Sequence, residues 1–469
     1  MQHICRLIII VILFSLPFTN SNLLGKTSFE NSSNQTNTLI KTQAQILWSK
    51  TFGTSYEDVG KSIIKSSLGG YAICGWTNGS GAGDYDILLI RIASDGTQVW
   101  NLTIGDVDDD KGYQVVNCAN GDFALSATYT NNSVAITNTD FMLARIANNG
   151  TLLWSRTYSG PEQTGGSYIG DIGRSIIECT NGDFVAAGVT TTTTGGCDIW
   201  FFRVTSTGQK IWERLYHHWD IDRCFSPHSV VQCTDGGFAI AGYTYNSTDS
   251  NDVWLIRTNQ NGIPLWNQTF GDSSGYQRPE GLVQCADGGF GIIANTHSFG
   301  AGQSDFWVIR TNAFGIQLWN QTYGGIYEDT GAAICAMGDG GFTLGGTTHS
   351  FDVGNGDLWL IRTDVSGQVL WNHTVGDPYG NGLNSFIYEG NATYSTIGTT
   401  NSLGEPFCDI WSTKIYIAII PENTTTPITS PTNSTTPTGN STTMGIVFTV
   451  GTIIGLIVMT TVITKRKNK

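Results

Sequence analysis

The pattern of hydrophobic and polar positions repeats along the chain with a period of 52 to 58 residues. A tryptophan marks the same point of each period, at Trp48, Trp100, Trp154, Trp212, Trp266, Trp319 and Trp371. Each period contains four short segments rich in Val, Ile, Phe, Trp and Thr, separated by turns rich in Gly, Asp and Asn. In one period they read "SVVQCT", "GGFAIAGYT", "DVWLIRT" and "IPLWNQTFG". Such segments are typical of β-strands, and this period is typical of a repeat architecture.

Four antiparallel strands in each of seven periods predict an all-β fold, a seven-bladed β-propeller over residues 44–420. The third strand occurs seven times, and no tryptophan strand follows its last copy, "CDIWSTKIYI". The tryptophan strand also occurs seven times, but its first copy, "ILWSKTF", precedes the first complete period. We therefore expect this N-terminal strand to complete the last blade and close the ring, which would remove an exposed sheet edge.

The turn that precedes the tryptophan strand has its own signature. It reads "SDGTQVW", "NNGTLLW" and "VSGQVLW", with a glycine four residues before the tryptophan in six periods. This turn resembles the tryptophan-docking repeat of quinoprotein-type β-propellers, in which the indole packs against the neighbouring blade. The resemblance covers residues 44–417 and implies a structural role for the seven tryptophans. The adjacent cysteine pair that dehydrogenases of that family carry beside the quinone is absent from this sequence. The resemblance thus implies the fold and gives little support to quinone chemistry.

The two ends of the chain predict a membrane protein. Residues 1–25 contain a short apolar run of the length of a secretory signal peptide, or alternatively of an uncleaved anchor. Residues 444–464 are uncharged and long enough for one transmembrane helix, and "KRKNK", residues 465–469, predicts a cytoplasmic tail. Residues 421–443, rich in Thr, Ser, Pro and Asn, predict an extended stalk. We expect a type I cell-membrane protein with an extracellular propeller.

The charge of the chain limits the classes of partner that we expect. The formal net charge is −14, and no basic run precedes the last few residues, so nucleic acid is not an expected partner.

Residues that recur in every blade are expected to be architectural rather than catalytic. Asp86 and Arg91 represent one such pair, whose odd spacing puts them on opposite faces of a strand, where each could bond a loop or a neighbouring blade.

Cysteines divide into repeated and exceptional positions. Five precede the turn between the first two strands of a blade and are expected to be buried thiols: Cys118, Cys179, Cys233, Cys285 and Cys335. Cys197 and Cys224 lie in neighbouring connections and could form a disulfide, and Cys74 with Cys408 is a weaker alternative.

Four glycosylation sequons directly follow a repeat tryptophan, at Asn101, Asn267, Asn320 and Asn372. Neighbouring residues of a strand point to opposite faces, so an inward tryptophan predicts an exposed asparagine that could carry a glycan. In the alternative interpretation, the asparagine forms a local hydrogen bond.

Candidate binding residues lie in the long loops that lead from the last strand of one blade to the first strand of the next. One such loop contains His217, His218, Trp219, Asp220, Asp222 and His228, and its histidines and aspartates together could bind a metal or act as acid and base. Another contains Asp106, Asp108, Asp109 and Asp110, whose oxygens could bind Ca²⁺. The alternative for both is a solvated loop without a ligand, and the identity of any metal stays open.

Two functions fit these features. The first is a recognition or adhesion module at the cell surface, which binds an extracellular protein or carbohydrate through the long-loop face. The second is an extracellular hydrolase or lyase that acts on carbohydrate with carboxylates on that face. The anchor, the sequons and the lack of a catalytic signature in the sequence favour the first.

Overall fold

The computed structural model describes residues 40–420 except 132–137, 161–168, 192–196, 218–220, 224–228, 246–249, 273–274, 352–353 and 402–407. The predicted signal peptide, stalk, transmembrane helix and tail therefore lie outside the described residues. Within the described ranges, no helix has the length and apolar character needed to cross a membrane.

The described chain is built from β-strands. Their bounds are β1 Thr42–Phe52, β2 Asp58–Lys65, β3 Tyr71–Thr77, β4 Asp86–Ile92, β5 Gln98–Ile104, β6 Lys111–Asn117, β7 Phe123–Asn131, β8 Asn138–Ile146, β9 Leu152–Tyr158, β10 Ile169–Gly170, β11 Ile172–Glu178, β12 Phe184–Thr191, β13 Cys197–Val204, β14 Lys210–Tyr216, β15 Ile221–Arg223, β16 Val230–Gln232, β17 Phe238–Tyr245, β18 Asn251–Thr258, β19 Pro264–Phe270, β20 Gln277–Gln284, β21 Phe290–Thr296, β22 Asp305–Thr311, β23 Gln317–Tyr323, β24 Asp329–Ala336, β25 Phe342–Thr348, β26 Asp357–Thr363, β27 Val369–Val375, β28 Asn381–Gly390, β29 Thr393–Thr400 and β30 Asp409–Ile419.

These strands form seven four-stranded antiparallel blades, as the sequence period predicts. Blades one to six are β2–β5, β6–β9, β11–β14, β16–β19, β20–β23 and β24–β27, and blade seven has the order β1-β30-β29-β28. The short strand β15 pairs parallel with β13 and antiparallel with β17, which joins blades three and four into one sheet. The short strand β10 pairs parallel with β8 of blade two.

The first strand of each blade is the innermost. Each innermost strand contacts that of the next blade, and β28 contacts β2, so the seven strands surround a central channel. The fourth strands form the rim, and their residues are exposed or half-buried except for a buried last residue. The hydrophobic cores lie between blades; one of them, for example, combines residues from β3 and β4 with residues from β6, β7 and β8. This arrangement buries both faces of the inner strands.

The repeated tryptophans pack against the following blade and bond to its last turn. Trp48 Nε1 donates to the backbone oxygen of Ser94, in the last turn of the following blade, at 3.0 Å. Gly96 in that turn has φ of 82°, and a Cβ there would lie 3.0 Å from Trp48 Cε3. The glycine therefore permits both the left-handed turn and the close approach of the indole. Trp48 also contacts Tyr71, the first residue of β3, with ring centroids 5.9 Å apart.

The last blade contains the N-terminal strand. β1 pairs antiparallel with β30, from Thr42 opposite Ile419 to Phe52 opposite Ile410. Phe52 packs with Ile397 and Ile410 of this blade and with Ile63 of the first blade in one core.

The recurring arginine of the third strand forms an ion pair with an aspartate in the first turn of its own blade. Five blades contain an ion pair of 2.5 to 3.2 Å, namely Arg145–Asp122, Arg203–Asp183, Arg257–Asp235, Arg310–Asp287 and Arg362–Asp339. In blade one, which lacks this aspartate, Arg91 donates to the backbone oxygen of Tyr71 instead. In blade seven, Lys414 pairs with Glu389 at 3.2 Å. The recurrence of this contact identifies it as architecture.

The repeated cysteines are thiols beneath these turns. Cys118, Cys179 and Cys233 are buried, and Cys285 and Cys335 are half-buried. Burial raises the pKa of Cys118 to about 12 and keeps it in the neutral form. Cys74 and Cys408 are both free, so the weaker disulfide alternative is wrong; Cys74 is fully buried within the core of the first two blades. Cys197 begins β13, whereas Cys224 lies outside the described residues, so their pairing stays a prediction.

Candidate functional site

The innermost strands share an irregularity that the strand pattern alone does not predict. In six of them a β-bulge interrupts the pairing with the second strand, and one residue in each is left without a partner in the ladder. These residues are Lys61, Tyr113, Arg174, Glu280, Ala332 and Asn384. We call them the bulge ring. The corresponding residue of blade four lies outside the described residues.

In four of the six bulges a glycine precedes the bulge residue and allows neighbouring strands to come close together. Gly60 precedes Lys61, and a Cβ on Gly60 would lie 2.6 Å from Cγ1 of Ile397 in blade seven. The backbone oxygen of Gly60 also accepts a hydrogen bond of 2.8 Å from Asn384 Nδ2 of that blade. A bulge bends the strand and re-aims a side chain. The fold therefore presents one residue per blade at the same level of the channel.

Residue types differ from blade to blade at this level. The bulge ring contains two cations, one carboxylate, a phenol, an amide and a methyl group. A residue needed for the fold would be expected to recur. The bulge ring is therefore one place in the channel where this propeller departs from its own repeat.

Charged groups of the bulge ring act on one another. Arg278, two residues before Glu280 in β20, forms an ion pair with it at 2.6 Å between Nε and Oε1. Burial raises the pKa of Glu280, against the effect of Arg278 and more weakly of Lys61 and Arg174. Burial lowers the pKa of Lys61, and Arg174 and Arg278 lower it further while Glu280 raises it. Groups from blades one, three and five therefore share one electrostatic environment.

Aromatic rings line the cations. The Lys61 ammonium lies 5.1 Å from the ring centroid of Trp76, and the Arg174 guanidinium lies 4.1 Å from that of Tyr113. Trp76 and Tyr113 contact each other with centroids 5.8 Å apart. Contacts of this kind stabilise a cation by attraction to the face of the ring. They fix the positions of Lys61 and Arg174 within the channel.

A second feature lies above this level, on the long-loop face. The connections between consecutive blades carry exposed tyrosines, at Tyr56, Tyr276, Tyr327 and Tyr379. We call these four residues the tyrosine arc, because they belong to the four successive loops that lead into blades five, six, seven and one. Tyrosine combines a large apolar face with a polar tip and is common in recognition surfaces.

The acidic loop is organised by local bonds. Asp110 is buried and accepts hydrogen bonds from the backbone nitrogens of Asp106, at 3.0 Å, and Thr130, at 2.8 Å. The side chain of Asp106 accepts a bond from Tyr129 Oη, and Asp109 lies 3.8 Å from Lys111 Nζ. Burial raises the pKa of Asp110 to about 7. No three acidic, histidine or cysteine groups of the described residues are arranged to hold a metal, here or elsewhere, so Ca²⁺ binding gains no support from this geometry.

Asp110 also has counterparts in other blades. Asp58, Asp171 and Asp329 begin their innermost strands or immediately precede them. Each accepts a hydrogen bond of 2.6 to 2.7 Å from a backbone nitrogen of the preceding loop. This repeated bond fixes the loop to the strand and gives Asp110 an architectural role, whereas Asp106, Asp108 and Asp109 belong to this loop alone.

The histidine-rich loop is described only in part. His217 follows β14, and its Nδ1 lies 2.8 Å from Oδ1 of Asp198, the first aspartate of its blade's third strand. Five blades have glycine at the position of His217. In blade one, for example, this glycine is Gly105, which lies beside Asp86, the equivalent of Asp198. Asp222 lies within β15, and the strand pairing puts its backbone opposite Thr244. His218, Trp219, Asp220 and His228 lie outside the described residues.

The chain was compared with known proteins at three levels. No family model and no curated protein sequence matches it. Among solved structures, it is similar to the β-propeller domain of the Trilobed protease from Pyrococcus furiosus, with 10% identity, a TM-score of 0.42, and 76% of this chain and 94% of that chain covered. It is also similar to a Pyrococcus horikoshii acylaminoacyl peptidase, with 11% identity, a TM-score of 0.38, and 74% and 51% covered, so that it spans about half of that chain.

A third similar structure is the PQQ-bound aldose sugar dehydrogenase from Streptomyces coelicolor, with 10% identity, a TM-score of 0.36, and 80% and 99% of the two chains covered. Likenesses at this level of identity concern the fold and carry no argument about activity.

Proposed function

We propose that this protein is a recognition module of the cell surface, a propeller that binds an extracellular carbohydrate or protein through its long-loop face. The single observation that carries the proposal is the bulge ring, which breaks the sevenfold repeat with charged and polar side chains inside the channel. The tyrosine arc gives the proposal a second support, since it offers flat apolar faces beside the channel mouth.

The position of the bulge ring connects these two features. Lys61 and Glu280 are each the fourth residue of an eight-residue strand that begins at the long-loop end. At about 3.3 Å per residue, the bulge ring lies roughly 10 Å below that end. A ligand that enters from the long-loop face would meet the tyrosine arc first and the charged groups afterwards.

The anchoring of the module is part of the proposal. The apolar segment 444–464 and the basic tail that follows it support a single transmembrane helix, with residues 421–443 as the stalk. This would place the propeller outside the cell as a type I membrane protein, where the sequons could carry glycans.

The alternative, a hydrolase or lyase, requires two carboxylates that converge on one bond, about 5–10 Å apart. In the described part of the bulge ring, Glu280 is the one carboxylate, and its ion pair with Arg278 engages it. Binding is therefore the function that this geometry supports better.

A carbohydrate array tests the proposal. The full chain, purified in detergent, is applied with and without Ca²⁺, beside the variant Tyr327→Ala/Tyr379→Ala and the control Tyr388→Ala, a tyrosine at the opposite end of the innermost strand of blade seven. We expect the wild type and the control to bind a defined set of glycans, and the double variant to lose about tenfold or more in affinity. If glycans are cleaved on the array, the enzyme alternative replaces the proposal. If nothing binds, and extracellular proteins are not retained either, the proposal fails.

A further inference from the structure

The loops of the long-loop face are acidic around the whole ring. Each of the seven loops that lead from one blade to the next contains at least one Asp or Glu. Arg223 is the one Lys or Arg in these loops and in the seven loops that join the second and third strands. This holds for their full sequence, including positions outside the described residues. On the opposite face, by contrast, five turn aspartates are paired with the recurring arginine.

Three successive loops combine this negative charge with an exposed aromatic ring. The loops that lead into blades six, seven and one each contain a tyrosine of the arc with a carboxylate one or two residues away. The pairs are Tyr327 with Glu328, Tyr379 with Asp377, and Tyr56 with Glu57. We call them the tyrosine–carboxylate pairs. Their tyrosines are 53%, 58% and 52% exposed, in the same order.

The backbone of each pair is held in place. The backbone nitrogen of Tyr327 donates to Ser350 Oγ at 3.0 Å, and that of Tyr379 donates to Asp377 Oδ1 at 2.9 Å. The backbone nitrogen of Tyr56 donates to a threonine hydroxyl of the same loop at 3.2 Å. A surface whose loops are already ordered loses less conformational entropy when a partner binds.

A lysine of the chain itself shows how this face holds a cation. Lys111 Nζ lies 4.3 Å from the ring centroid of Tyr85 and 3.8 Å from a carboxylate oxygen of Asp109. The ring face attracts the ammonium group, and the carboxylate supplies the opposite charge. Tyr85 is in turn bonded to Glu57, since its Oη donates to Oε2 at 3.0 Å. A tyrosine and a carboxylate therefore already serve together as a lysine-binding unit beside one of the three pairs.

From these features we propose that the tyrosine–carboxylate pairs bind a basic segment of an extracellular protein, with its lysine or arginine side chains over the tyrosine rings. This inference rests on the proposed function and specifies the partner. Lysine and arginine have a long apolar stem and a charged end, so the stem can cover a ring while the end reaches a carboxylate. Pairs on three successive loops would engage several basic residues of one segment.

An exposed aliphatic side chain favours a protein over an amino sugar as the source of the cations. Ile326, directly before Tyr327, is 68% exposed. The stems and apolar side chains of a protein segment could cover it, whereas the hydroxyl groups of a sugar would lose their water against it.

The pairs lie at the mouth of the channel rather than at the bulge ring. In the described part of the bulge ring, Arg278 already engages the carboxylate of Glu280 at 2.6 Å. Glu328, by contrast, is exposed and forms no ion pair with another described residue. The basic segment would therefore lie across the mouth, above the level of the bulge ring.

A labelled peptide tests this inference. The full chain in an uncharged detergent is titrated against a fluorescein-labelled peptide in which lysines alternate with Gly and Ser, and against the same peptide with every lysine acetylated. Acetylation keeps the stem and removes the charge. We expect saturable binding of the lysine peptide and at least tenfold weaker binding of the acetylated one, measured by fluorescence polarisation. The affinity should fall as the salt concentration rises, because salt screens the exposed carboxylates.

Two double variants of equal charge separate the site from the general acidity of the chain. Glu328→Gln/Asp377→Asn should weaken the affinity for the lysine peptide about tenfold. The asparagine keeps an oxygen for the bond from the backbone nitrogen of Tyr379. The control Asp95→Asn/Asp364→Asn removes two charges from turns of the opposite face, whose backbone bonds an asparagine can also accept, and should leave the affinity within about twofold.

The outcomes distinguish this inference from the proposed function. If the acetylated peptide binds as tightly, or if the two double variants behave alike, the basic partner is wrong, whatever the carbohydrate array gives. If glycans bind on the array through Tyr327 and Tyr379 but the lysine peptide does not bind, the recognition function stands and the basic partner is again wrong. Tighter binding of chitosan oligosaccharides, which carry ammonium groups on sugar rings, would overturn the choice of a protein. Charge-dependent peptide binding that weakens only in Glu328→Gln/Asp377→Asn establishes the site.

Discussion

The residue that directly follows a docking tryptophan accepts a hydrogen bond from a second tryptophan in five blades. The donors are Trp200, Trp254, Trp307, Trp359 and Trp411, and the acceptors are Glu213, Asn267, Asn320, Asn372 and Ser49, at 2.9 to 3.3 Å. Blades one and two have Leu88 and Met142 in place of the donor. The local hydrogen bond that the sequence left as an alternative is therefore present at three of the four post-tryptophan sequons.

This hydrogen bond is compatible with a glycan. The indole donates to Oδ1 of the asparagine, and an N-linked glycan is attached to Nδ2. Asn101, Asn267 and Asn320 are exposed, whereas Asn372 is half-buried. In a host that glycosylates, peptide mapping of the purified chain should find glycans on the three exposed asparagines and a lower occupancy at Asn372. Unmodified exposed sites together with a glycosylated stalk would contradict this prediction.

Asp110 provides a prediction about pH. Its folded pKa, about 7, lies above the ordinary value of 3.8, so the folded state binds its proton more tightly than the unfolded state does. For this group, stability is highest below the ordinary pKa and falls as the pH rises towards 7. Asp110→Asn removes this dependence. The free energy of unfolding, measured in urea, should favour the wild type more at pH 5 than at pH 8, by about 1–3 kcal/mol. A difference that stays constant with pH would show that Asp110 does not titrate in this range.

Sequence reasoning identified the tryptophans but not the bulge ring. The tryptophans recur at a fixed spacing and are large, so their period is visible. A bulge inserts one residue into a strand without a characteristic composition, and it breaks the alternation from which side-chain directions are inferred. Its trace in the sequence is the residue after the glycine in "DVGK", "DKGY" and "DIGR", which changes from period to period while the aspartate and the glycine do not. For the acidic loop, the composition suggested a metal site. In the structure, Asp110 instead accepts a backbone hydrogen bond that recurs in other blades.

At the scale of whole elements, the period predicted all seven blades and the order of their four strands. The period could not predict β10 and β15. These strands lie in the loops that lead into blades three and four, and they pair with strands β8 and β13 of the preceding blades. Both strands are two or three residues long and lie in the irregular loops that lead into blades three and four. Their pairing depends on where the loops fold back, and a local sequence pattern carries no information about such long-range placement.

The N-terminal strand is the element whose loss should matter most. Trp48 fills the interface between blades seven and one, through Ser94 and Tyr71. Deletion of residues 45–52 should lower the melting temperature substantially, because it leaves β30 without its outer partner. The milder change Trp48→Ala should cost about 3 kcal/mol of unfolding free energy.

Leu47→Ala is the matched control for this element, since Leu47 is exposed and its neighbour Trp48 is not. It should leave the unfolding free energy within about 0.5 kcal/mol of the wild type. If the deletion variant melts like the wild type, β1 does not close the ring.

At the scale of the whole molecule, the two ends of the described chain lie side by side. The backbone nitrogen of Ile420 donates to the oxygen of Lys41 at 2.8 Å, and that of Ile40 donates to the oxygen of Leu370 at 3.2 Å. Leu370 follows the turn that connects β26 with β27, on the face opposite the long loops. Ile420, the residue before the proposed stalk, therefore lies on the short-turn face.

Together with the proposed membrane anchor, this placement predicts how the propeller would be presented on a cell. A 23-residue Pro-rich stalk at ~3 Å per residue would reach up to about 70 Å. An epitope tag inserted after Val107, which is exposed in the acidic loop of the long-loop face, should bind antibody on intact cells at any stalk length. A tag inserted after Val365, exposed in the turn between β26 and β27, should bind equally well with the full stalk and progressively less as the stalk is shortened, because the membrane then approaches that face. If shortening the stalk hides the Val107 tag instead, the long-loop face is turned towards the membrane, and a ligand could not reach the tyrosine arc and the channel from outside the cell.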